Sequence, residues 1–182
     1  IKSIEEARIL KENKIDLIIT DHHNKEDKLP DAFSIIHTDL SVYPFKPLAG
    51  VGVAFKLSQA LIGEEALEYT DIAALGTIAD MMPLYDENRA IVNVGLKKMA
   101  HSSNIGLRNL LSFLDIVTPT VADIQYKIAP RINACGRMKS AKLAVSLLQS
   151  TDSAIAAKIL SEIEETNNRR KKLTKVLYDE SL

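Results

Sequence analysis

Leu17-Ile18-Ile19-Thr20-Asp21-His22-His23 sets a run of strand-forming residues directly against one carboxylate and two imidazoles. Leu and Ile suit a strand buried on both faces, and in an open α/β sheet function gathers outside the carboxyl ends of such strands. Three polar, metal-competent side chains make poor packing groups at that edge. The stretch therefore predicts a parallel sheet with chemistry at its rim. Side chains alternate along a strand, so Asp21 and His23 share one side and His22 faces the other. One imidazole is then placed for a metal and the other for a substrate.

Outward from this stretch, residues 3–13 read as a short amphipathic helix capped by Ser3, with Ala7, Ile9 and Leu10 inward. Ile15 to Thr20 is the buried strand, and a polar loop from Asn24 to Asp31 leads to a second strand, Phe33 to His37. After a loop marked by Pro44 and Pro47 the chain turns helical. Ala49 to Ile62 carries Val53, Leu57 and Leu61 at four-residue spacing, and Ala66 to Met82 is apolar nearly all round until Pro83 ends it. Asn88 to His101, Leu107 to Leu114, Thr120 to Ile128 with a Thr120 cap and a stop before Pro130, and Ser140 to Leu148 follow. A long helix runs from about Asp152, with Ile155, Ile159 and Ile163 on one stripe and Leu160 beside them. Leu173, Val176 and Leu177 continue an inward face beyond a polar, basic and solvated segment at 167–172. The fold class is α/β: the C-terminal part of a parallel-sheet domain, a helical layer and a long connecting helix.

Asp80 is the second informative residue. It stands alone in Gly76-Thr77-Ile78-Ala79-Asp80-Met81-Met82-Pro83-Leu84, an apolar helical stretch. A carboxylate there needs a partner, and a divalent metal shared with His22 would supply one. Imidazole and carboxylate together suit Mn2+, Mg2+ or Zn2+, and with Cys135 as the only cysteine no closed structural zinc site is expected. Two ligands are too few for two-metal phosphoester chemistry, which needs several carboxylates and a bridging one. Asp16 precedes the strand while Asp39 and Asp86 lie in loops, so further ligands are expected upstream of this chain.

A net charge of −1 selects no class of partner, but its distribution does. Between Asp123 and Asp152 no acidic residue occurs, while Lys127, Arg131, Arg137, Lys139 and Lys142 all do. That is the footprint of a phosphate-bearing partner, set against ordinary solvated helix faces. Pro130 to Met138 reads as a loop between two helices, with Arg131 and Arg137 flanking a tight turn at Gly136. Such arginines either bind phosphate bidentately or brace the loop against carbonyls. Gly50-Val51-Gly52 opens a helix where backbone N–H groups face an anion, or else marks tight packing. Arg89 is a phosphate contact or an ion-pair partner. His37 reads as a satisfied strand-end imidazole, and His101 carries no assigned chemistry.

At 182 residues and 46% hydrophobic composition the chain can bury a sizeable core. No stretch approaches the length of a membrane span, so no membrane partner is expected. A single cysteine excludes an intramolecular disulfide and suits a reducing, cytoplasmic compartment. Cys135, between Ala134 and Gly136, reads as a small packing residue rather than a nucleophile. The chain opens on Ile1 and closes on Ser181-Leu182 inside helical patterns, so it is read as a piece of something longer.

Asp21-His22-His23 and Gly76-Thr77-Ile78-Ala79-Asp80 resemble the third and fourth motifs of the DHH phosphoesterase superfamily. More narrowly, the chain resembles the RecJ single-stranded-DNA-specific exonucleases through Tyr43 to Leu57, Glu87-Asn88-Arg89, Pro130 to Met138, and Asn167 with Arg169 and Arg170. The resemblance implies a DHH domain, here residues 1–150, joined by a connector helix at 151–182 to a DHH-associated domain. It implies hydrolysis of single-stranded DNA from the 5′ end, in DNA repair and recombination, at a two-metal Mn2+ or Mg2+ site. Carried over position by position, His22 and Asp80 match metal ligands, Asp21 a residue supporting them, and His23 the imidazole that addresses the phosphate. Arg131 and Arg137 fall in the loop expected to face DNA, with Asn133 and Arg89 as further nucleic-acid contacts. The family's Asp-x-Asp motif would precede the DHH strand, so this piece alone is expected to be inactive. His37-Thr38 stands where relatives often carry Asn-Pro. A DHH phosphodiesterase of small substrates (oligoribonucleotides, cyclic dinucleotides or pyrophosphate) and a non-catalytic DHH scaffold are the alternatives.

Overall fold

The structure, a computed structural model, describes residues 1–138 and 140–181. Two compact units make up the chain, Ile1–Val94 and Gly95–Leu182. Lys139 and Leu182, both named in the sequence reading, lie outside the described residues.

In the first unit, helix α1 (Ile4–Glu12) has Glu5 and Glu6 in its first turn and Lys11 in its last, charges that complement the helix dipole. Ser3 precedes it but makes no side-chain cap, contrary to expectation. Strands β1 (Ile18–Thr20) and β2 (Ser34–Ile36) form a parallel pair, with Ile18 opposite Ser34, Ile19 opposite Ile35 and Thr20 opposite Ile36. The strand expected to be buried on both faces is not: Ile18 is 56% exposed. Among the described residues the sheet has only these two strands, and β2 is half-buried along its length.

Helix α2 (Gly50–Ile62) packs on β1 and on α3 (Thr70–Ala79), burying Val53, Phe55, Ala73, Ala74 and Ile78. The continuous helix expected over 66–82 is two pieces, a 3-10 segment at Gly63–Tyr69 followed by α3. Nor does Pro83 end it. The chain closes the helix itself, with Met81 N–H donating to Ile78 O at 3.0 Å and Met82 N–H to Thr77 O at 3.2 Å. Met81 takes the left-handed closing position, φ 54°. Helix α4 (Asp86–Met99) then starts around the buried Asn88, whose Nδ2 donates to Pro47 O (2.6 Å) and Pro83 O (3.0 Å) and so ties two loops to one turn.

The second unit is helical: α5 (Ile105–Phe113), the single turn α6 (Val121–Asp123), a wide π-turn at Ile124–Ile128, α7 (Ala129–Met138), α8 (Lys142–Leu148) and α9 (Ser153–Glu180). Thr120 caps where the sequence places it, in a reciprocal capping box with Asp123, and Asp152 caps α9 by accepting from Ile155 N–H at 2.9 Å. The segment read as an arginine-flanked loop is helix α7 instead. A proline inside a helix clashes with the carbonyl four residues back, here Tyr126. The π-turn spanning Tyr126 widens the backbone just ahead of Pro130, which lets the helix pass through it. On α9 the buried stripe is Ala156, Leu160, Ile163 and Asn167, while Ile155 is 58% exposed. Leu173, Val176 and Leu177 are exposed as well, and the segment expected to be solvated, 167–172, buries Asn167. Among the described residues no helix is long and apolar enough to cross a membrane.

Candidate metal centre

Asp21 is the first residue beyond β1, and its N–H still donates to Ile36 O at 3.2 Å, the last rung of the ladder. Its carboxylate folds back over the turn it begins. Oδ1 accepts from the backbone N–H of His22 (2.7 Å) and of His23 (3.1 Å) and lies 2.7 Å from Nδ1 of His23. Oδ2 accepts from the Ile1 ammonium at 2.6 Å. Burial pushes this carboxyl up, while the hydrogen bonds from His23 and His22 pull it down. Asp21 is thus committed to its own turn and to orienting His23.

The opposite placement expected from strand alternation does not hold, because His22 lies beyond the end of β1: its ring sits beside that of His23, centroids 4.6 Å apart, and its Nε2 stands 3.2 Å from Asp80 Oδ2. Asp80 is not enclosed in an apolar helix as its sequence neighbours suggest. It follows the last residue of α3, and its side chain is 47% exposed. The end of a helix carries partial negative charge, so a carboxylate there adds like charge, which a cation offsets. On its other flank the His22 ring lies across the first residue of α2. A Cβ at Gly50 would come to 3.2 Å from His22 Cδ2 and 3.8 Å from Nε2. Gly50 is therefore a glycine of close packing, which decides between the two readings of Gly50-Val51-Gly52.

These residues fit a divalent ion. One donor atom from each of Asp21, His22 and His23 lies within 4.8 Å of the others. Two donors on one octahedral ion, at bond lengths of about 2.1 Å, stand about 3 Å apart. The His22–Asp80 separation of 3.2 Å matches that edge. An imidazole and a carboxylate with no sulfur suit Mn2+ or Mg2+ better than a closed zinc site.

His37 is buried at 3% exposure, and both ring nitrogens are used: Nδ1 accepts from Asp39 N–H at 3.1 Å and Nε2 lies 2.8 Å from the His23 carbonyl. Sequence reading had it as satisfied, but not that its partner is the metal-site turn. Only its place directly after the second strand hinted at that. Farther along the same unit, Tyr43 Oη donates to Glu87 at 2.7 and 2.9 Å and Lys56 Nζ lies 2.8 Å from Glu87, so three positions of the Tyr43–Leu57 and Glu87-Asn88-Arg89 motifs meet.

The basic residues divide. Arg89 is exposed on α4. In the second unit Arg131 is a brace: Nε lies 2.6 Å from Glu164 Oε2 on α9 and Nη1 donates to Lys127 O at 2.7 Å. Lys127 in turn pairs with Asp123 at 2.7 Å. The stretch free of acid in sequence is thus supplied with acid in space. Asn133 and Arg137 remain exposed, four residues apart on one face of α7.

The profile of the "DHH family, N-terminal domain" matches residues 1–77. The single-stranded-DNA-specific exonuclease RecJ of Bacillus subtilis is 45% identical over 186 residues, covering 100% of this chain and 24% of that protein. That of Thermus thermophilus is 39% identical over 176 residues, covering 94% of this chain and 26% of the relative. Thermus thermophilus RecJ in complex with Mn2+ superimposes with a TM-score of 0.90 at 37% identity, over 99% of this chain and 28% of that one. The same protein in complex with Mg2+ gives 0.79 at 36% identity, over 91% and 26%. The chain spans about a quarter of the length of the relatives it matches.

Proposed function

We propose that this chain, whose residues 1–77 match the DHH family N-terminal domain, is part of a metal-dependent exonuclease that digests single-stranded DNA from the 5′ end, in DNA repair and recombination. The observation that carries this is the 3.2 Å approach of His22 Nε2 to Asp80 Oδ2 at the mouth of a parallel strand pair. Mn2+ and Mg2+ are the proposed ions, on the donor set and on the ions held by the RecJ structures it resembles. His22 and Asp80 hold the ion, with further carboxylates supplied by sequence outside this chain. A divalent ion there lowers the pKa of a bound water and stabilises charge on the phosphoryl oxygens.

His23 is exposed, with Nδ1 turned to Asp21, so its Nε2 edge is the one left to address the scissile phosphate. Asp21 keeps the ring in that orientation and holds the turn. Arg89 on one unit, and Asn133 and Arg137 on the other, are assigned to the DNA backbone. Arg131 is assigned the bracing of α7 on α9. Residues 1–150 are proposed as the DHH domain and 151–182 as the connector, in a protein of the cytoplasm. The test compares a long single strand with a dinucleotide, using the full natural polypeptide and its Asp80→Ala variant. Mn2+-dependent degradation of the long strand, lost in the variant, is the expected result. Preference for the dinucleotide would move the protein to the small-substrate phosphodiesterases, and no cleavage of either would favour a scaffold.

A further inference from the structure

The turn that carries the metal-site residues is gripped by the second strand twice, and the second grip is a side chain. Backbone pairing stops at Asp21 N–H to Ile36 O. Beyond it the chain bends, and the His23 carbonyl leaves the ladder's reach. His37, the residue directly after β2, extends its ring back to that oxygen, 2.8 Å from Nε2. The Asp39 N–H, a donor, points at Nδ1 from 3.1 Å. Nδ1 must therefore accept, the ring proton sits on Nε2, and Nε2 donates to the His23 carbonyl. At 3% exposure the ring has no ready exchange of either partner for water.

We propose that His37 is a positioning residue of the metal centre: held as its Nε2–H tautomer, it clamps the His23 carbonyl and so fixes the backbone that aims His22 at Asp80 and His23 at Asp21. This rests on reading that cluster as a divalent-metal site. The His22 Nε2 is the far end of a lever hinged at its Cα, so a small rotation of the 22–23 backbone displaces the donor atom. Metal sites tolerate little such displacement, and loss of an orienting hydrogen bond typically costs about 10- to 100-fold in affinity.

The donor role of the ring can be isolated by substitution. A glutamine amide at position 37 places an N–H donor near the Nε2 position, whereas alanine removes ring and donor together. Mn2+ affinity is measured by electron paramagnetic resonance on the full natural polypeptide, alongside thermal unfolding and single-strand cleavage. His37→Ala should weaken Mn2+ about tenfold or more and raise the Mn2+ requirement for cleavage. His37→Gln should bind Mn2+ within about threefold of the unsubstituted protein. Unchanged affinity in folded His37→Ala, or equal weakening in both variants, would overturn the proposal. If His37→Ala does not fold, His37→Gln decides: retained affinity supports the clamp and a tenfold loss overturns it. If the unsubstituted protein binds Mn2+ no better than its His22→Ala variant, the metal-site reading itself fails and the clamp with it. Binding that His22→Ala abolishes and His37→Ala leaves untouched removes the clamp alone.

Discussion

His22 Nε2 lies 3.2 Å from Asp80 Oδ2, two residues past a strand meeting one residue past a helix. Neither element holds the other's residue by itself. The approach depends on α2, which packs against both β1 and α3 and lets the His22 ring lie over Gly50.

That last contact makes Gly50→Ala a sensitive probe. The methyl would sit 3.2 Å from His22 Cδ2, so the ring must shift by a few tenths of an ångström. Alanine in the first turn of a helix is otherwise favourable, by up to about 1 kcal/mol. Thermal stability should hold or rise while Mn2+ affinity falls about tenfold, as for other losses of ligand orientation. Equal Mn2+ affinity in the two proteins would remove Gly50 from the site.

Gly106 carries a purely structural demand in the second unit. A Cβ there would lie 1.9 Å from the Leu147 carbonyl oxygen and 2.6 Å from its carbon, and backbone of α8 cannot yield as a side-chain tip would. Gly106→Ala should therefore cost about 3 kcal/mol or more in denaturant unfolding. A loss below about 1 kcal/mol would show that α5 and α8 separate at little cost.

Much of this architecture was legible in the sequence. The strand ending in Asp21-His22-His23, helix α2 and the Thr120 cap follow from short-range pattern, because strand propensity and capping chemistry act between near neighbours. The pairing of His22 with Asp80 was readable as two polar residues ending apolar runs. Three features were not. Met81 in a left-handed closure carries none of the glycine that normally marks it. Helix α7 runs through Pro130 on the strength of a π-turn, and no pattern of residues announces one. The partner of Arg131 was not readable because Glu164 comes from another helix.

The Tyr43–Glu87–Lys56 cluster predicts a pH dependence. Burial and then the Glu87 carboxylate raise the Tyr43 hydroxyl above its ordinary 10.0. For Lys56 burial works downward, but hydrogen bonds to Glu87 and Tyr43 prevail and raise it above 10.5. Both groups have folded values above their unfolded ones, so their stabilisation is complete below about pH 10 and is lost as pH rises through the folded values. Denaturation midpoints should fall over that window, and Glu87→Gln should flatten the fall. The same slope in both proteins would mean that the cluster plays no part in it.

Arg131 and Arg137 should behave differently although both lie on α7. Arg137→Ala should weaken single-strand binding uniformly across sequences and reduce the salt slope by about 0.7, the value for one phosphate contact. Arg131→Ala should leave that slope unchanged and cost about 1–3 kcal/mol of stability, since Glu164 is left without its partner. Titration of binding against salt, with unfolding curves, separates the two; interchanged results would restore Arg131 to the DNA face.

The most direct test is anomalous diffraction at the manganese edge from crystals of the full natural polypeptide grown with Mn2+. The geometry predicts a peak about 2.1–2.3 Å from both His22 Nε2 and an Asp80 carboxylate oxygen, absent from His22→Ala crystals. A manganese peak elsewhere, with those two side chains bound only to each other, would contradict it.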